Sequence, residues 1–214
     1  MTTNASRKPS PVLVGALLVG AVVVGLGAAF GLLALLQSPQ PHTYQATIFD
    51  QPLPAEPIAL VNDNGDPTTL ADFDGKLVLL YFGYTTCPDF CPDTLNRLAR
   101  ARDLLGADAD RVQVVMVTVD PERDTLNKLH EYVRYFDESF IALRGEPDEI
   151  ADVAARYGIY YTQTQVGSSA GYLIDHTVTT QIINGDGERI GVLGYGLSPE
   201  VIADDLRALL KSQN

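Results

Sequence analysis

The chain has 214 residues, of which 46% are hydrophobic and 20% are charged, and its 27 acidic and 15 basic side chains give a formal net charge of −12 at pH 7. This length allows one globular domain with an appendage. So acidic a chain is poorly suited to binding the phosphates of DNA or RNA, and nucleic acid is excluded as an expected partner.

Residues 12–36 contain no charged or strongly polar side chain. As a helix at ~1.5 Å per residue this segment is long enough to cross a hydrocarbon core of roughly 30 Å. The alternative is a cleaved secretory signal, whose apolar region usually has only about 7 to 15 residues. The length therefore favours an uncleaved transmembrane anchor over residues 12–36.

The charges around this segment predict its orientation. Arg7 and Lys8 precede it, and the first acidic residue is Asp50. By the positive-inside rule, residues 1–11 are cytoplasmic, and the protein is a single-pass protein of the cell membrane with its C-terminal domain on the extracytoplasmic side.

Residues 37–57 are polar and contain five prolines, which indicates an extended linker. His42 is expected to be a solvated residue of this linker. A globular domain is predicted over residues 58–214.

Within that domain, apolar runs and turn signals predict alternating strands and helices. The predicted strands cover residues 58–61, 77–82, 112–119, 140–143, 178–183 and 189–193. The predicted helices cover residues 92–105, 124–135 and 147–157, with a last helix that begins at Ser198 and Pro199.

Two of these strands, 77–82 and 112–119, are apolar on both faces, as in a covered parallel sheet. The helix between them makes a right-handed crossover. Asn184 to Gly187 then supply the turn of an antiparallel hairpin. A parallel crossover, an antiparallel hairpin and a final helix, in that order, predict an α/β thioredoxin-like fold.

Cys87 and Cys91 are the two cysteines of the chain, and they directly follow the apolar strand 77–82. Their spacing predicts both sulfurs on one face of a first helical turn, where free N–H groups and the helix dipole favour thiolates. A disulfide would close only a very small loop and would stabilise the fold near the low end of about 2–4 kcal/mol. A reactive pair, for redox exchange or soft-metal binding, is therefore favoured over a structural disulfide.

His176 is the natural candidate for a third metal donor, with Asp175 as a residue that could orient it. From the residues alone, a structural role for His176 stays open. Partial burial in a helix explains His130. Asp120 and Asp124 follow the strand 112–119, where they suit either helix capping or binding of a metal or partner.

Three segments, Tyr81–Pro92, Val119–Thr125 and Asp175–Thr177, together resemble the Sco/SenC family over roughly residues 58–210. The resemblance implies a thioredoxin-like domain that binds one copper ion, Cu(I) or Cu(II), through Cys87, Cys91 and His176. It further implies a metallochaperone that delivers copper to the dinuclear copper centre of cytochrome c oxidase, or prepares its thiols. The implied partners are the copper-bearing subunit of that oxidase and other copper-transfer or thiol-transfer proteins.

Two enzymatic alternatives use the same residues, so whether the protein is an enzyme stays open. One is a thiol-disulfide oxidoreductase of the thioredoxin superfamily that acts on exported proteins through Cys87 and Cys91 as a redox-active pair. The other is a peroxide-reducing enzyme on the same fold. Thioredoxins proper have two residues between their cysteines, a tryptophan before them and a cis-proline. This chain has three intervening residues, no tryptophan and no proline beside His176, which weakens the general reductase hypothesis.

Overall fold

The structure is a computed structural model, and it describes residues 20, 23–31, 42–166 and 171–212. The chain divides into two units, Met1–Pro41 and His42–Asn214. In the first unit, residues 23–31 are helical. Among the described residues, no helix has both the length and the apolar composition needed to cross a membrane. Most of the span predicted over 12–36, and all of the cytoplasmic segment predicted over 1–11, lie outside the described residues.

The described part of the second unit alternates strands and helices. Its strands are β1 (Thr47–Pro54), β2 (Ala59–Asn62), β3 (Pro67–Thr69), β4 (Leu77–Gly83), β5 (Val112–Thr118), β6 (Ile141–Arg144), β7 (Tyr161–Gln165), β8 (Tyr172–His176), β9 (Thr180–Ile183) and β10 (Glu188–Leu193). Its α-helices are α1 (Phe90–Leu105), α2 (Leu126–Phe136), α3 (Pro147–Arg156) and α4 (Pro199–Ser212).

Eight of these strands form one sheet in the order β1-β10-β9-β4-β5-β6-β2-β3, and β7 and β8 form a separate antiparallel pair. Strands β4, β5 and β6 are parallel to one another, whereas β9 lies antiparallel to β4 and leads into the β9–β10 hairpin. The hairpin turn contains Gly187 at a φ of 75°, a conformation that glycine adopts without strain. The predicted α/β fold, with its parallel crossover, hairpin and final helix, is confirmed.

The core lies around β4 and β5, in which every residue is buried. Helix α1 contributes Leu95 and Leu98 to this core and packs against α4 through its apolar face. Burial of each such side chain contributes about 1.5–3 kcal/mol, which makes this central layer the main source of stability. The carboxyl ends of β4 and β5 are thereby held in fixed positions.

The prediction of a linker over residues 37–57 is wrong for residues 47–54. Residues 47–54 form β1, which pairs with β10 at the edge of the sheet. Pro52 and Pro54 are compatible with this position, because an edge strand has N–H positions that need no partner. The domain therefore includes β1 and begins before residue 58.

His42 is exposed, as expected, but it is attached to the domain and is not part of a free linker. Its Nε2 lies 2.7 Å from Oδ1 of Asp205, a carboxylate on α4 that is 1% exposed. The same carboxylate accepts hydrogen bonds from the backbone N–H groups of Gln45 and Ala46. A buried carboxylate needs such partners, and these contacts attach residues 42–46 to α4.

Asp205→Ala is expected to lower the free energy of unfolding by about 1–3 kcal/mol, because two backbone N–H groups, of which that of Ala46 is buried, lose their acceptor. Denaturation of the full chain by urea measures the loss, and limited proteolysis should cut near residues 42–46 more quickly. Asp204→Ala is the matched control, since Asp204 is an exposed residue paired with Arg207 on the same helix. Equal stabilities of the two variants would contradict the prediction.

Candidate metal and thiol site

The two cysteines lie at the junction between β4 and α1. The N–H of Cys87 donates to the carbonyl of Tyr84 at 3.4 Å, which closes a turn directly after β4. Helix α1 begins only at Phe90, so Cys91 is in its first turn. The prediction that both cysteines lie in the first helical turn is thus wrong for Cys87, because the chain is still reversing direction there.

The end of the helix nevertheless points at the first sulfur. The backbone N–H of Cys91 donates to Sγ of Cys87 at 3.4 Å. This N–H belongs to the first turn of α1, where such groups have no partner within the helix. A thiolate at Cys87 is therefore stabilised by the helix N-terminus, as the sequence indicated.

His176 lies beside this pair, although 85 positions separate it from Cys91. It is the last residue of β8, and its Nε2 is 3.4 Å from Sγ of Cys91. The two sulfurs and one imidazole nitrogen all lie within 4.8 Å of one another. The structure therefore brings together the three residues that the family resemblance selected.

The hydrogen bonding of the imidazole decides its tautomer. Nδ1 of His176 is 2.9 Å from the carbonyl oxygen of Thr177, which can only accept. Nδ1 therefore carries the hydrogen, and in the neutral ring Nε2 presents its lone pair towards the cysteines. That is the form in which histidine binds metal ions.

Asp175 does not orient this ring, contrary to the expectation from sequence. Its carboxylate accepts a hydrogen bond from Oγ1 of Thr164 on β7, at 2.8 Å. Successive side chains of a strand point to opposite faces, so Asp175 and His176 point away from each other. Adjacency along the chain was misleading for this reason.

Two tyrosines hold the imidazole in place. The rings of Tyr81 and Tyr84 pack edge-on against His176, with centroids 6.0 and 5.9 Å away. The hydroxyl oxygen of Tyr84 also accepts the N–H of Ile174 at 3.1 Å, which ties β8 to the turn after β4. Both tyrosines belong to the segment that contains the cysteines, but nothing in the local pattern assigned them this role.

Gly83, the last residue of β4, provides room for the buried sulfur. A Cβ at this position would lie 3.0 Å from Sγ of Cys91 and 2.7 Å from Cε1 of Tyr81. Both neighbours are fully buried and have little freedom to move. A glycine directly before the cysteine turn is a sequence signal that could have identified this constraint.

The pKa values of the two thiols are shifted in opposite directions. A hydrogen bond from the thiol of Cys91 lowers the pKa of Cys87 against the opposing effect of burial. The hydrogen bond to Cys87 and full burial raise the pKa of Cys91 above its ordinary value. Loss of a proton is therefore favoured at Cys87 and disfavoured at Cys91.

The thiolate is also the more accessible sulfur. A cavity of about 370 Å³ is lined by Cys87 and His176, with Phe90, Leu173 and Val178 forming part of its apolar wall. Cys91 is 0% exposed. A ligand or partner thus approaches the site from the side of Cys87 and His176.

Asp120 and Asp124 lie near the carboxyl end of β5, but neither caps α2. Helix α2 begins at Leu126, two residues later than predicted, and Thr125 caps it by accepting the N–H of Lys128. The carboxylate of Asp124 is buried and accepts hydrogen bonds from threonines, and that of Asp120 is paired with Arg123. Neither belongs to the Cys–Cys–His group.

His130 contributes to packing, as its partial burial suggested. Its Nδ1 lies 2.9 Å from Oδ2 of Asp63, a fully buried carboxylate that also accepts the N–H of Ala142. The side chain of His130 contacts Asp63 and Arg134, and it does not belong to the Cys–Cys–His group.

The fold and the site define a thioredoxin-like domain that presents two thiols and an imidazole at one edge of its sheet. A family model described as SCO1/SenC matches residues 50–211. The chain belongs to the SCO1/SenC family.

Three relatives illustrate the similarity. The chain is 42% identical over 129 residues to Protein SCO1 homolog 1, mitochondrial, of Arabidopsis thaliana, covering 60% of this chain and 38% of that protein. It is 36% identical over 151 residues to Protein SCO2 homolog, mitochondrial, of Mus musculus, covering 70% and 59%. A crystal structure of Arabidopsis thaliana ScoI with copper bound superposes with a TM-score of 0.69 at 34% identity, covering 75% of this chain and 99% of that one. The chain thus spans less than two thirds of the length of the Arabidopsis SCO1 homolog and of the mouse SCO2 homolog.

Gly83→Ala is expected to destabilise the protein by about 1–3 kcal/mol, because the new methyl group overpacks the space between Tyr81 and Cys91. The free energy of unfolding of the reduced full chain measures the effect. Gly194→Ala is the control, since a Cβ there meets no atom within 4 Å. The prediction fails if both alanine variants are as stable as the wild type.

Iodoacetamide should alkylate Cys87 selectively at about pH 6, well below the ordinary thiol pKa of about 8.5, because Cys87 is the thiolate of the pair. Peptide mass spectrometry of the reduced, metal-free full chain measures the rate at each cysteine against pH. In Cys91→Ala the pKa of Cys87 should rise, and its alkylation at pH 6 should slow. Preferential labelling of Cys91, or a Cys87 rate unaffected by Cys91→Ala, would contradict this assignment.

Proposed function

We propose that this protein binds one copper ion through Cys87, Cys91 and His176 and acts as a membrane-anchored metallochaperone for the dinuclear copper centre of cytochrome c oxidase. The observation that carries the proposal is the convergence of three donor atoms within 4.8 Å, with the lone pair of the imidazole directed at the sulfurs. The copper-bound Arabidopsis relative, at 34% identity, supports the choice of metal.

The donor set suits copper in both oxidation states. Two thiolates are soft ligands that favour Cu(I), and the added imidazole makes the site suitable for Cu(II), which heads the divalent affinity order. Binding requires that Cys91 lose its proton, so uptake of the ion releases about one proton from the pair. The positive charge of the ion then compensates the negative charge of the thiolate at the buried Cys91.

The arrangement also suits transfer of the ion. Cys91 and its sulfur are enclosed by the core, whereas Cys87 and His176 border the cavity. An incoming thiol or imidazole of a partner can therefore replace the accessible ligands first, while Cys91 still holds the ion. The proposed partners are the copper-bearing oxidase subunit and other copper-transfer or thiol-transfer proteins.

The remaining parts of the proposal concern the membrane. Residues 12–36 would anchor the chain as one span, residues 1–11 would be cytoplasmic, and the domain would face the extracytoplasmic side. The apolar composition of residues 12–36 and the basic residues Arg7 and Lys8 support this topology.

A second candidate, a thiol-disulfide oxidoreductase, is favoured by the free and asymmetric cysteine pair. The thiolate of Cys87 would attack a disulfide of the target, forming a mixed disulfide and releasing one target thiolate. Cys91, after losing its proton, would attack Sγ of Cys87 and release the second target thiolate. The target gains two electrons, and the two cysteines end as a disulfide.

Titration of the reduced full chain with Cu(I) and with Cu(II) should show binding near 1:1 for each ion. Cys87→Ser and Cys91→Ser should each lower the affinity for both ions. His176→Ala should lower the affinity for Cu(II) by at least about tenfold and that for Cu(I) much less, because the imidazole contributes most to binding Cu(II). His130→Ala is the matched control and should bind like the wild type.

Failure of the wild type to bind either ion near 1:1 would reject the metallochaperone proposal. The oxidoreductase would be preferred if His176→Ala reduced target disulfides at the wild-type rate while each Cys→Ser variant had lost that activity.

A further inference from the structure

We propose that Asp120, Arg123 and Tyr172 form a clamp that positions His176 against the cysteine sulfurs, and so sets the preference of the site between Cu(II) and Cu(I). The three residues are positioning residues, since none of them contributes a donor atom to the Cys–Cys–His group. The preference rests on the proposed copper binding, whereas the positioning itself can be tested without metal.

The clamp joins the turn after β5 to the first residue of β8. The hydroxyl of Tyr172 donates to Oδ1 of Asp120 at 2.8 Å, and Nε of Arg123 donates to Oδ2 of the same carboxylate at 2.5 Å. Nη1 of Arg123 also donates to the carbonyl of Tyr172 at 2.8 Å. The guanidinium lies 3.6 Å from the centroid of the Tyr172 ring, within the range of a cation–π contact.

The environment makes these contacts strong. Asp120 is 1% exposed and the side chain of Arg123 is 20% exposed. Charge-assisted hydrogen bonds in such shielded surroundings are stronger than those in water, and a buried carboxylate that loses a partner is costly. Tyr172 is therefore held by its hydroxyl, its ring and its backbone at once.

Strand β8 depends on such contacts because it lies outside the main sheet. Within the described residues its ladder partner is β7, and a two-stranded pair is only marginally stable by itself. Ladder hydrogen bonds fix β8 against β7, but they do not fix this pair against the cysteines. Side-chain contacts must therefore do so.

The geometry of a strand transmits the clamp to the imidazole. Tyr172, Ile174 and His176 alternate along β8 and so point to the same face. Tyr172 is clamped, Ile174 is buried and bonded to Tyr84 through its N–H, and His176 contacts Cys91. Release of Tyr172 would free one end of this three-point attachment and allow His176 to move away from the sulfurs.

The same turn also holds the cysteine side of the site. The carboxylate of Asp124 accepts hydrogen bonds from the backbone N–H of Thr85 at 3.0 Å, from its hydroxyl at 2.5 Å, and from the hydroxyl of Thr118 at 2.6 Å. Thr85 precedes Cys87 by two residues. The five residues from Asp120 to Asp124 thus fix both the strand with the histidine and the turn with the first cysteine.

The consequence for metal preference follows from the ligands. Cu(I) can be held by two thiolates alone, whereas Cu(II) gains more from the imidazole. A clamp that keeps Nε2 of His176 within 3.4 Å of Cys91 favours the three-donor site. Loosening the clamp should therefore lower the affinity for Cu(II) more than the affinity for Cu(I).

The test compares Tyr172→Leu and Tyr172→Phe with Tyr135→Leu in the reduced full chain in detergent. Tyr135 is 83% exposed on α2 and gives a matched tyrosine-to-leucine control. Without metal, hydrogen–deuterium exchange of β8 should be at least about tenfold faster in Tyr172→Leu, with β4 and β5 unchanged. Tyr172→Phe keeps the ring but loses the bond to Asp120, so it should show a smaller increase.

With copper, Tyr172→Leu should lower the Cu(II) affinity by at least about tenfold while the Cu(I) affinity changes by less than about threefold. The sulfur-to-Cu(II) absorption and the nitrogen hyperfine coupling of the imidazole should change in the same variant. The phenylalanine variant keeps the test valid if the leucine variant does not fold.

The clamp is rejected if exchange of β8 and the ratio of the two copper affinities both stay at wild-type values in the Tyr172 variants. It is equally rejected if both affinities fall together while exchange increases throughout the domain, since that indicates a general folding role. A wild-type chain that binds neither ion rejects the proposed function instead, and faster exchange confined to β8 in the metal-free variants would still support the positioning role.

Discussion

The site depends on the parallel register of β4 and β5. Gly83, at the end of β4, lies opposite Thr118 at the end of β5, and the N–H of Val119 donates to the carbonyl of Gly83 at 2.9 Å. Parallel strands that end together direct their following loops to the same edge of the sheet. The cysteine turn and the Asp120–Asp124 turn therefore leave the core side by side, where each can hold the other.

Burial gives the site its asymmetry. Cys91 is packed beneath Gly83 and the ring of Tyr81, and its hydrogen bond to Cys87, together with this burial, raises the pKa of its thiol. Cys87 accepts hydrogen bonds from the thiol of Cys91 and from an N–H at the start of α1, which lower its pKa, and it borders the cavity. The same feature suits both the proposed copper transfer and the alternative thiol exchange, because each needs one enclosed sulfur and one more accessible sulfur.

The extent to which the fold could be predicted differs between elements. Strands β4 and β5 were recognisable because they are continuous apolar runs, and the β9–β10 hairpin because its turn residues are specific. The edge strand β1 was missed because Pro52 and Pro54 are typical of a linker as well as of a sheet edge. The pair β7–β8 was missed because both strands are short, β7 is mostly polar, and β8 lacks an alternation of apolar and polar residues.

The sequence by itself determined the dithiol, as two cysteines at the junction between a buried strand and a helix. It also supplied His176 through the resemblance of three separate motifs. Only the tertiary structure decided that Nε2 of His176 lies 3.4 Å from Cys91, and that Asp120 and Asp124 serve as anchors rather than helix caps. Local periodicity describes neighbours along the chain, whereas these contacts join residues 39 to 85 positions apart, and the packing of β8 against the sheet edge brings the histidine to the sulfurs.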